Sequence, residues 1–150
     1  MPTGLWHPKP IMLSVLVIED DKFYRAFLLR HFVRAGYHVE IAEGRGAAVR
    51  RIFSKQFDVV VLNIRSIDDV NELGIIPVIR HINPNIPIVA VTSDASIQII
   101  NAAKEKGVFY LFVKPFDVED MVSAVGEAAK KGCSQNIHQR VHVAGGEEAS

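Results

Sequence analysis

Short apolar runs and segments with helical spacing alternate along the chain from residue 11 onwards. A run of about four to seven apolar, largely β-branched residues is typical of a strand covered on both faces. Apolar residues at positions i, i+3 and i+4 indicate a helix with one buried face. We therefore predict five strands, at residues 12–18, 37–42, 59–62, 88–91 and 108–113, each followed by a helix.

The predicted helices are delimited by residues that favour helix ends. Asp20 or Asp21 can cap the first helix, Asp117 can cap the last one, and a glycine follows three of the five. Pro77 would remove a backbone hydrogen bond from the third helix, within residues 66–83, so we expect that helix to start late or to kink there. The other helices are predicted at residues 47–53, 95–106 and 117–131.

Strands that alternate with helices form a parallel sheet covered on both faces. With right-handed crossovers, five such strands fit an α/β fold, the doubly wound order 2-1-3-4-5 of flavodoxin-like proteins. Residues 11–131 supply this single domain. Residues 1–10 hold three prolines, and residues 132–150 end in acidic and small residues, so we expect a flexible arm and a flexible tail.

Composition and charge narrow the range of functions. The chain has 150 residues, of which 49% are apolar and 23% are charged, as in ordinary globular domains. Seventeen Lys and Arg balance seventeen Asp and Glu, which argues against broad binding of nucleic acid or of anionic membranes. No apolar run approaches the roughly 20 residues of a membrane span, and the first residues lack the pattern of a signal peptide. These features predict a cytoplasmic protein.

Polar and charged residues stand where four of the predicted strands end. In a doubly wound sheet, these ends meet at one crevice. Carboxylates, a hydroxyl group and an ammonium group suit the binding of Mg²⁺ and of a phosphoryl group. The residues are Glu19 and Asp20 after the first strand, Asn63 and Arg65 after the third, Thr92 and Ser93 after the fourth, and Lys114 and Pro115 after the fifth.

Four motifs carry these residues: VLVIEDD, FDVVVLN, IPIVAVTSD and FVKPF. With their spacing, they make residues 11–131 resemble the receiver domain of two-component response regulators. The resemblance implies that Glu19 and Asp20 bind Mg²⁺ and that Arg65 offers the metal its backbone carbonyl oxygen. It places Asn63 at the position of the aspartate that accepts a phosphoryl group.

The same resemblance implies a pocket for the phosphoryl group. Thr92 corresponds to the family's switch Ser or Thr, with Ser93 next to it. Lys114 corresponds to the pocket lysine, and Pro115 to the usually cis proline that follows it. Leu111 occupies the position at which many members carry a Tyr or Phe that moves on activation.

Asn63 departs from the family at the residue that carries its chemistry. A neutral amide is a far poorer nucleophile than a carboxylate, and it leaves Glu19, Asp20 and Lys114 with one net negative charge instead of two. We therefore expect no phosphorylation at this position and weak or absent Mg²⁺ binding, with the Asn63 carbonyl as a weak ligand. Three further departures are Ile67 for the usual proline, Asn71 for the usual glycine and Leu111 for the usual aromatic residue.

These departures predict a pseudo-receiver, a stand-alone and non-enzymatic module of a phosphorelay pathway that signals through protein contacts. In the family the usual contact surface is helix 4, strand 5 and helix 5, here residues 95–131. This surface would bind a protein partner or a second copy of the chain. Ile97, Ile99 and Ile100 cannot all face the core of a helix, so we expect one of them to be exposed there.

Two alternatives remain open. In the first, the chain is a phosphorylated receiver whose acceptor is Asp58, Asp68 or Asp69, although Asp58 begins the third strand and the other two lie past the crevice. In the second, it is a flavodoxin-like cofactor-binding protein or a phosphatase. The segment EDDKFY lacks the hydroxyl- and glycine-rich loop of a flavodoxin and the Asp-x-Asp arrangement of a haloacid-dehalogenase phosphatase.

Three residues near the end of the chain carry metal or thiol chemistry in other proteins. Cys133 has no second cysteine for a disulfide, and we expect an inert thiol. His138 and His142 are four residues apart but lack a third ligand, so we expect a solvated segment.

Overall fold

The computed structural model describes residues 12–65, 70–132 and 142–145, and helices alternate with strands throughout. The strands are β1 (Ser14–Ile18), β2 (His38–Ala42), β3 (Val59–Ile64), β4 (Ile88–Thr92), β5 (Tyr110–Val113) and β6 (His142–Gly145). The helices are α1 (Lys22–Arg34), α2 (Arg45–Ser54), α3 (Val70–Ile82), α4 (Ile97–Glu105) and α5 (Val118–Lys131).

The strands form one parallel sheet in the order β2-β1-β3-β4-β5-β6. The predicted α/β fold and its order 2-1-3-4-5 are confirmed, and the sheet continues by one strand. β6 pairs with β5 from Tyr110 and His142 to Val113 and Gly145, within the segment predicted as a flexible tail. The unpaired backbone groups along the outer edge of β5 explain this addition, because an open edge can accept a further strand.

Two strands extend beyond their predicted ends, so Asn63 and Thr92 lie within strands and not after them. β3 runs to Ile64 and β4 to Thr92, so that Asn63 pairs with Val91 inside the sheet. The expectation that Asn63 follows the third strand was therefore wrong by two residues. An asparagine has a low strand propensity, but the neighbouring strands supply its backbone with partners.

Helix α3 contains Pro77 in its interior and still begins at Val70. The predicted late start was wrong, because burial outweighs the lost hydrogen bond. Ile75, Ile76 and Ile79 are almost completely buried around the proline.

Hydrophobic cores lie on both faces of the sheet. On one face, α1 and α5 cover alternate residues of the central strands, among them Val15, Val61 and Val91. On the other face, α2, α3 and α4 cover the residues between these, such as Leu16 and Leu62. Because both faces are covered, polar side chains can gather only at the ends of the strands.

Helices α1 and α5 begin at the capping residues that the sequence predicts. The Asp21 carboxylate accepts from the backbone N–H groups of Phe23 and Tyr24 at 2.8 and 3.2 Å. The Asp117 carboxylate accepts from the N–H of Glu119 at 2.8 Å. These bonds fix the start of α1 and α5 at the carboxyl ends of β1 and β5.

Within the described residues, no helix has the length and apolar character needed to cross a membrane.

Several predictions concern parts of the chain outside the described residues. The backbone of Asn71 is described but its side chain is not, and the same holds for His142. The arm at residues 1–10, Ile67, Asp68, Asp69, Cys133 and His138 lie outside the described residues.

Glu40 ties strand β2 to helix α2. Its carboxylate accepts from Arg51 at 2.7 Å, from Lys55 and from His38, and its side chain is only 10% exposed. The hydrogen bond from Lys55, followed by those from His38 and Arg51, lowers the pKa of Glu40 from 4.5 to about 2. Because the folded-state pKa is depressed, the ionised carboxylate stabilises the fold above pH 4.5, and this contribution is lost as the pH falls towards 2.

We expect Glu40→Gln to lower the free energy of unfolding by about 1–2 kcal/mol at pH 7, since solvent partly screens the exposed partner cations. The difference from the wild type should shrink as the pH falls from about 4.5 towards 2. Urea unfolding followed by far-UV circular dichroism measures both quantities. Glu43→Gln is the matched control because Glu43 is 74% exposed and pairs with Arg25. A control loss as large as that of Glu40→Gln would contradict this account.

Candidate functional site

A pocket of about 100 Å³ lies beside the carboxyl ends of β1 and β3. Four of the residues that the sequence places at the strand ends line it. The ends of β1 and β3 therefore meet at one pocket, as predicted. The lining residues are Ile18, Glu19, Asp20, Glu43, Gly44, Arg45, Leu62, Asn63, Arg65 and Ile75.

Asn63 lines this pocket from within β3. Its residue surface is only 7% exposed, and no side-chain hydrogen bond to its amide is formed within the described part of the chain. A buried amide is neutral, so it adds no charge for a metal ion and no nucleophilic carboxylate. Asn63 thus brings a neutral amide, and no carboxylate, to this wall of the pocket.

Glu19 is the most deeply buried acid of the site, at 2% exposed. Its carboxylate accepts from the Lys114 ammonium at 3.4 Å and from the Asp21 backbone N–H at 3.1 Å. Burial raises the pKa of Glu19, and both hydrogen bonds offset part of that rise. Lys114 therefore favours the ionised form of Glu19, against the effect of burial.

Lys114 is held from a second side by an aromatic ring. Its ammonium lies 3.8 Å from the centroid of the Tyr24 ring, within the range of a cation–π contact. Its backbone N–H donates to the Thr92 carbonyl at 2.7 Å, and the peptide bond between Lys114 and Pro115 is cis. The pattern of polar strand ends does not indicate Tyr24, because this residue lies on α1 and not at a strand end.

Asp20 pairs with Arg65 rather than with Lys114. The Arg65 guanidinium lies 3.3 Å from the Asp20 carboxylate, and both side chains are about half exposed, at 58% and 47%. Lys114 pairs with Glu19 at 3.4 Å. Two acids and two cations therefore form two separate pairs around Asn63.

Thr92, Ser93 and Leu111 lie apart from the pocket lining. The Thr92 hydroxyl is buried and accepts from the Asp94 backbone N–H at 3.0 Å, and Ser93 is exposed. Leu111 is fully buried against the face that α2, α3 and α4 cover. Tyr110 faces the opposite side, as the strand alternation predicts, and donates to Glu127 at 2.9 Å.

The sequence missed the wall of the pocket that lies outside the strand ends. Glu43 and Gly44 connect β2 to α2, Arg45 begins α2, and Ile75 belongs to α3. Glu43 pairs with Arg25 at 2.9 Å. An expectation built on strand ends could have included the β2 connection, because β2 ends at the same sheet edge.

The donor set fits Mg²⁺ poorly. No group of three or more His, Cys, Asp or Glu residues in the described ranges is arranged to hold a metal ion. Both carboxylates at the expected position, Glu19 and Asp20, already pair with side-chain cations. The third oxygen would come from the neutral Asn63 amide, which is a weak ligand for a hard cation.

Comparisons with known proteins agree with this geometry. Residues 15–126 match the family described as response regulator receiver domain. The chain is 29% identical over 115 residues to the DNA-binding transcriptional regulator NtrC of Rhizobium meliloti, covering 77% of this chain and 24% of that relative. It is 25% identical over 132 residues to the transcriptional regulatory protein CusR of Escherichia coli, covering 88% and 58%. The chain thus spans about a quarter of the NtrC protein and little more than half of CusR.

A solved structure shares the fold. The CheY-like response regulator receiver domain protein of Methanospirillum hungatei superposes with a TM-score of 0.73 at 20% identity, covering 81% of this chain and 96% of that one. The family match extends from β1 into α5, and the strand order and the acidic pair after β1 are in place. The chain belongs to the response regulator receiver domain family.

Proposed function

We propose that this receiver domain is not phosphorylated at position 63 and signals through protein contacts that do not require a phosphoryl group. Receiver domains are generally non-enzymatic signalling modules, and the proposal concerns how this one operates. The observation that carries it is the buried, neutral Asn63 at the acceptor position of β3. In this sense the domain is a pseudo-receiver.

Charge pairing in the site supports the proposal. An ordinary acceptor carboxylate would need a cation, and in the family Mg²⁺ and the pocket lysine supply it. Here Lys114 pairs with Glu19 and Arg65 pairs with Asp20, so the two acids have side-chain counter-charges. The arrangement is electrically balanced without a metal ion or an acceptor carboxylate.

The alternative acceptor Asp58 lies at the wrong end of the sheet. Its carboxylate accepts from the Ser14 backbone N–H at 2.8 Å, next to the amino ends of β1 and β3. The pocket lies at the carboxyl ends of the same strands. Asp58 therefore has a structural role and is remote from Lys114.

A partner surface on α4, β5 and α5, at residues 95–131, belongs to the same proposal. Ile97 is 62% exposed on the first turn of α4, whereas Ile99 is buried, which agrees with the expected exposure of one isoleucine. The β6 strand pairs with the outer edge of β5, so a protein partner or a second copy would bind α4 and α5 rather than that edge.

A phosphorylation assay tests the proposal directly. We expect acetyl phosphate to add no mass to the wild type, because a neutral amide cannot form the acyl phosphate. We expect Asn63→Asp to gain one phosphoryl group, since the pocket lysine remains. Intact-protein mass spectrometry with and without Mg²⁺ measures both.

A phosphoryl group on the wild type would contradict the proposal. Its loss in Asp58→Asn, Asp68→Asn or Asp69→Asn would then identify the acceptor, and its survival in all three would place it elsewhere. Failure of Asn63→Asp to react would show that the Arg65 pair, as well as the amide, blocks the chemistry.

We expect the wild type to bind Mg²⁺ weakly. We expect tighter binding when the neutral Asn63 amide or the Arg65 side chain is replaced. Asn63→Asp adds an anionic oxygen ligand, and Arg65→Gln frees the Asp20 carboxylate, so each should tighten binding by about tenfold, or about 1.4 kcal/mol. Isothermal titration calorimetry with MgCl₂ measures the affinities. Arg30→Gln on α1 is the matched control and should leave the affinity unchanged. Equal affinities in all four proteins would mean that position 63 does not face the metal.

We expect Lys114→Met to lower the free energy of unfolding by about 2 kcal/mol at pH 7, because it leaves the buried Glu19 without its cation. The folded-state pKa of Glu19, already raised, should rise further. The loss should therefore be small in acid, where Glu19 is protonated, and grow as the pH rises through the pKa of Glu19. Urea unfolding between pH 4 and pH 7 measures this.

The control for Lys114→Met is Lys131→Met, which breaks an exposed pair with Glu127 within α5. Such pairs contribute about 0.3–0.5 kcal/mol. If the two variants lose equal stability at pH 7, Lys114 is an ordinary solvated lysine.

A further inference from the structure

A shallow cavity lies between the last two strands of the sheet and helix α5. It has a volume of about 280 Å³ and borders the outer edge of β5, where β6 is paired. Its floor is apolar, because Phe112 and Ala124 are buried there. The residues that line this β6 cavity are Tyr110, Phe112, Asp120, Ser123, Ala124, Glu127 and Ala144.

The β5 edge already binds one extended segment, which belongs to the chain itself. β6 pairs with β5 in parallel, and Ala144 lies opposite Phe112 and packs against the core that α1 and α5 cover. A strand edge binds an extended segment through backbone hydrogen bonds, and side-chain pockets decide which segment fits best. The β5 edge is therefore a strand-addition site whose present occupant is residues 142–145.

β6 leaves the cavity largely unfilled. Ala144 contributes a single methyl group, and about 280 Å³ stays open beside it. In an extended segment, side chains two positions apart face the same side, and the residue two positions after Ala144 is Gly146, which has no side chain. Open space beside apolar groups forfeits dispersion contacts. A larger apolar side chain in the place of Ala144 would therefore bind this edge more tightly.

The α5 side of the cavity carries two acids, Asp120 and Glu127. Glu127 accepts from Tyr110 at 2.9 Å and pairs with Lys131. Asp120 has no cation partner within the described residues. It lies in the first turn of α5, beside the carboxyl end of β5. In a segment parallel to β5, a basic side chain two positions after the apolar one would lie closest to Asp120.

We propose that the β5 edge binds an extended segment of a partner protein that carries a large apolar residue and, two positions later, Lys or Arg. β6 is the intramolecular competitor that this segment displaces. Residues 132–141 tether β6 to α5, so β6 competes at an effective concentration on the order of millimolar. The inference rests on the proposed partner surface at residues 95–131 but not on position 63, because none of residues 110–113 lines the pocket at Asn63.

The test is an NMR titration of the ¹⁵N-labelled full chain with synthetic peptides based on residues 139–148. The first peptide carries Ala144→Leu and Gly146→Arg, and we expect saturable shifts of the backbone amides at residues 110–113 and 142–145. The peptide of unchanged sequence should bind at least about tenfold more weakly, because it leaves the cavity open. A third peptide, with Ala144→Leu and Gly146→Glu, should bind at least about threefold more weakly than the first.

Two changes of Ala144 in the protein itself test the competition by β6. Ala144→Asp places an acid in a cavity that Asp120 and Glu127 line, so β6 is weakened and the first peptide should bind at least about tenfold more tightly. Ala144→Leu fills the cavity from β6 and should weaken peptide binding by at least about tenfold. Ala26→Asp is the matched control, because Ala26 is exposed on α1, and it should bind as the wild type does.

Several outcomes would overturn the proposal. Equal binding of the three peptides would remove the sequence preference, and equal affinities of Ala144→Asp and Ala144→Leu would remove the competition by β6. Shifts confined to α4 and α5 would keep the proposed partner surface but overturn strand addition, whereas shifts in neither region would count against both. Self-association of Ala144→Asp without peptide, measured by analytical ultracentrifugation, would make a second copy of the chain the occupant instead.

Discussion

The ion pair between Glu19 and Lys114 joins residues 95 positions apart in the sequence. They meet because β1 and β5 belong to one parallel sheet, with β3 and β4 between them, and end at the same edge. Glu19 is almost completely buried, and a buried carboxylate without a cation is strongly destabilising. The Tyr24 ring and the Thr92 carbonyl fix the position of Lys114. The other acid of the site, Asp20, pairs with Arg65.

The identity of residue 63 follows the same electrostatic constraint. Lys114 is already committed to Glu19, and Arg65 is paired with Asp20. An aspartate at this buried position would add a third acid close to the other two and would require another cation. Asparagine keeps nearly the same shape without that charge. The amide and the Arg65 pair therefore complement each other, because together they leave each acid at these strand ends with a side-chain cation.

The sequence predicts the framework of this site better than its contacts. Apolar runs locate β1 and β3 because a strand covered on both faces must be apolar throughout, and this brings Glu19 and Asn63 together. The pairing of each charge depends on side-chain reach across the fold, which no local pattern contains. The resemblance implies a role for the Arg65 backbone carbonyl, but it does not indicate that the Arg65 guanidinium pairs with Asp20. β6 was missed because its pairing depends on the open edge of β5 and not on a strong strand pattern in residues 142–145.

The proposed phosphorylation-independent signalling requires surfaces that are present without a phosphoryl group. Two apolar side chains, Phe53 on α2 and Ile97 on α4, are exposed on helices that pack against the same face of the sheet. These two side chains lie at opposite ends of the helix layer formed by α2, α3 and α4. The reason is that α2 ends near the amino ends of the strands, whereas α4 begins near the carboxyl end of β4. Glu40 holds α2 against β2 through Arg51, so the position of Phe53 is fixed by packing and by an ion pair. Neither exposed side chain needs a phosphoryl group to take its position, which is the condition that the proposed phosphorylation-independent signalling requires.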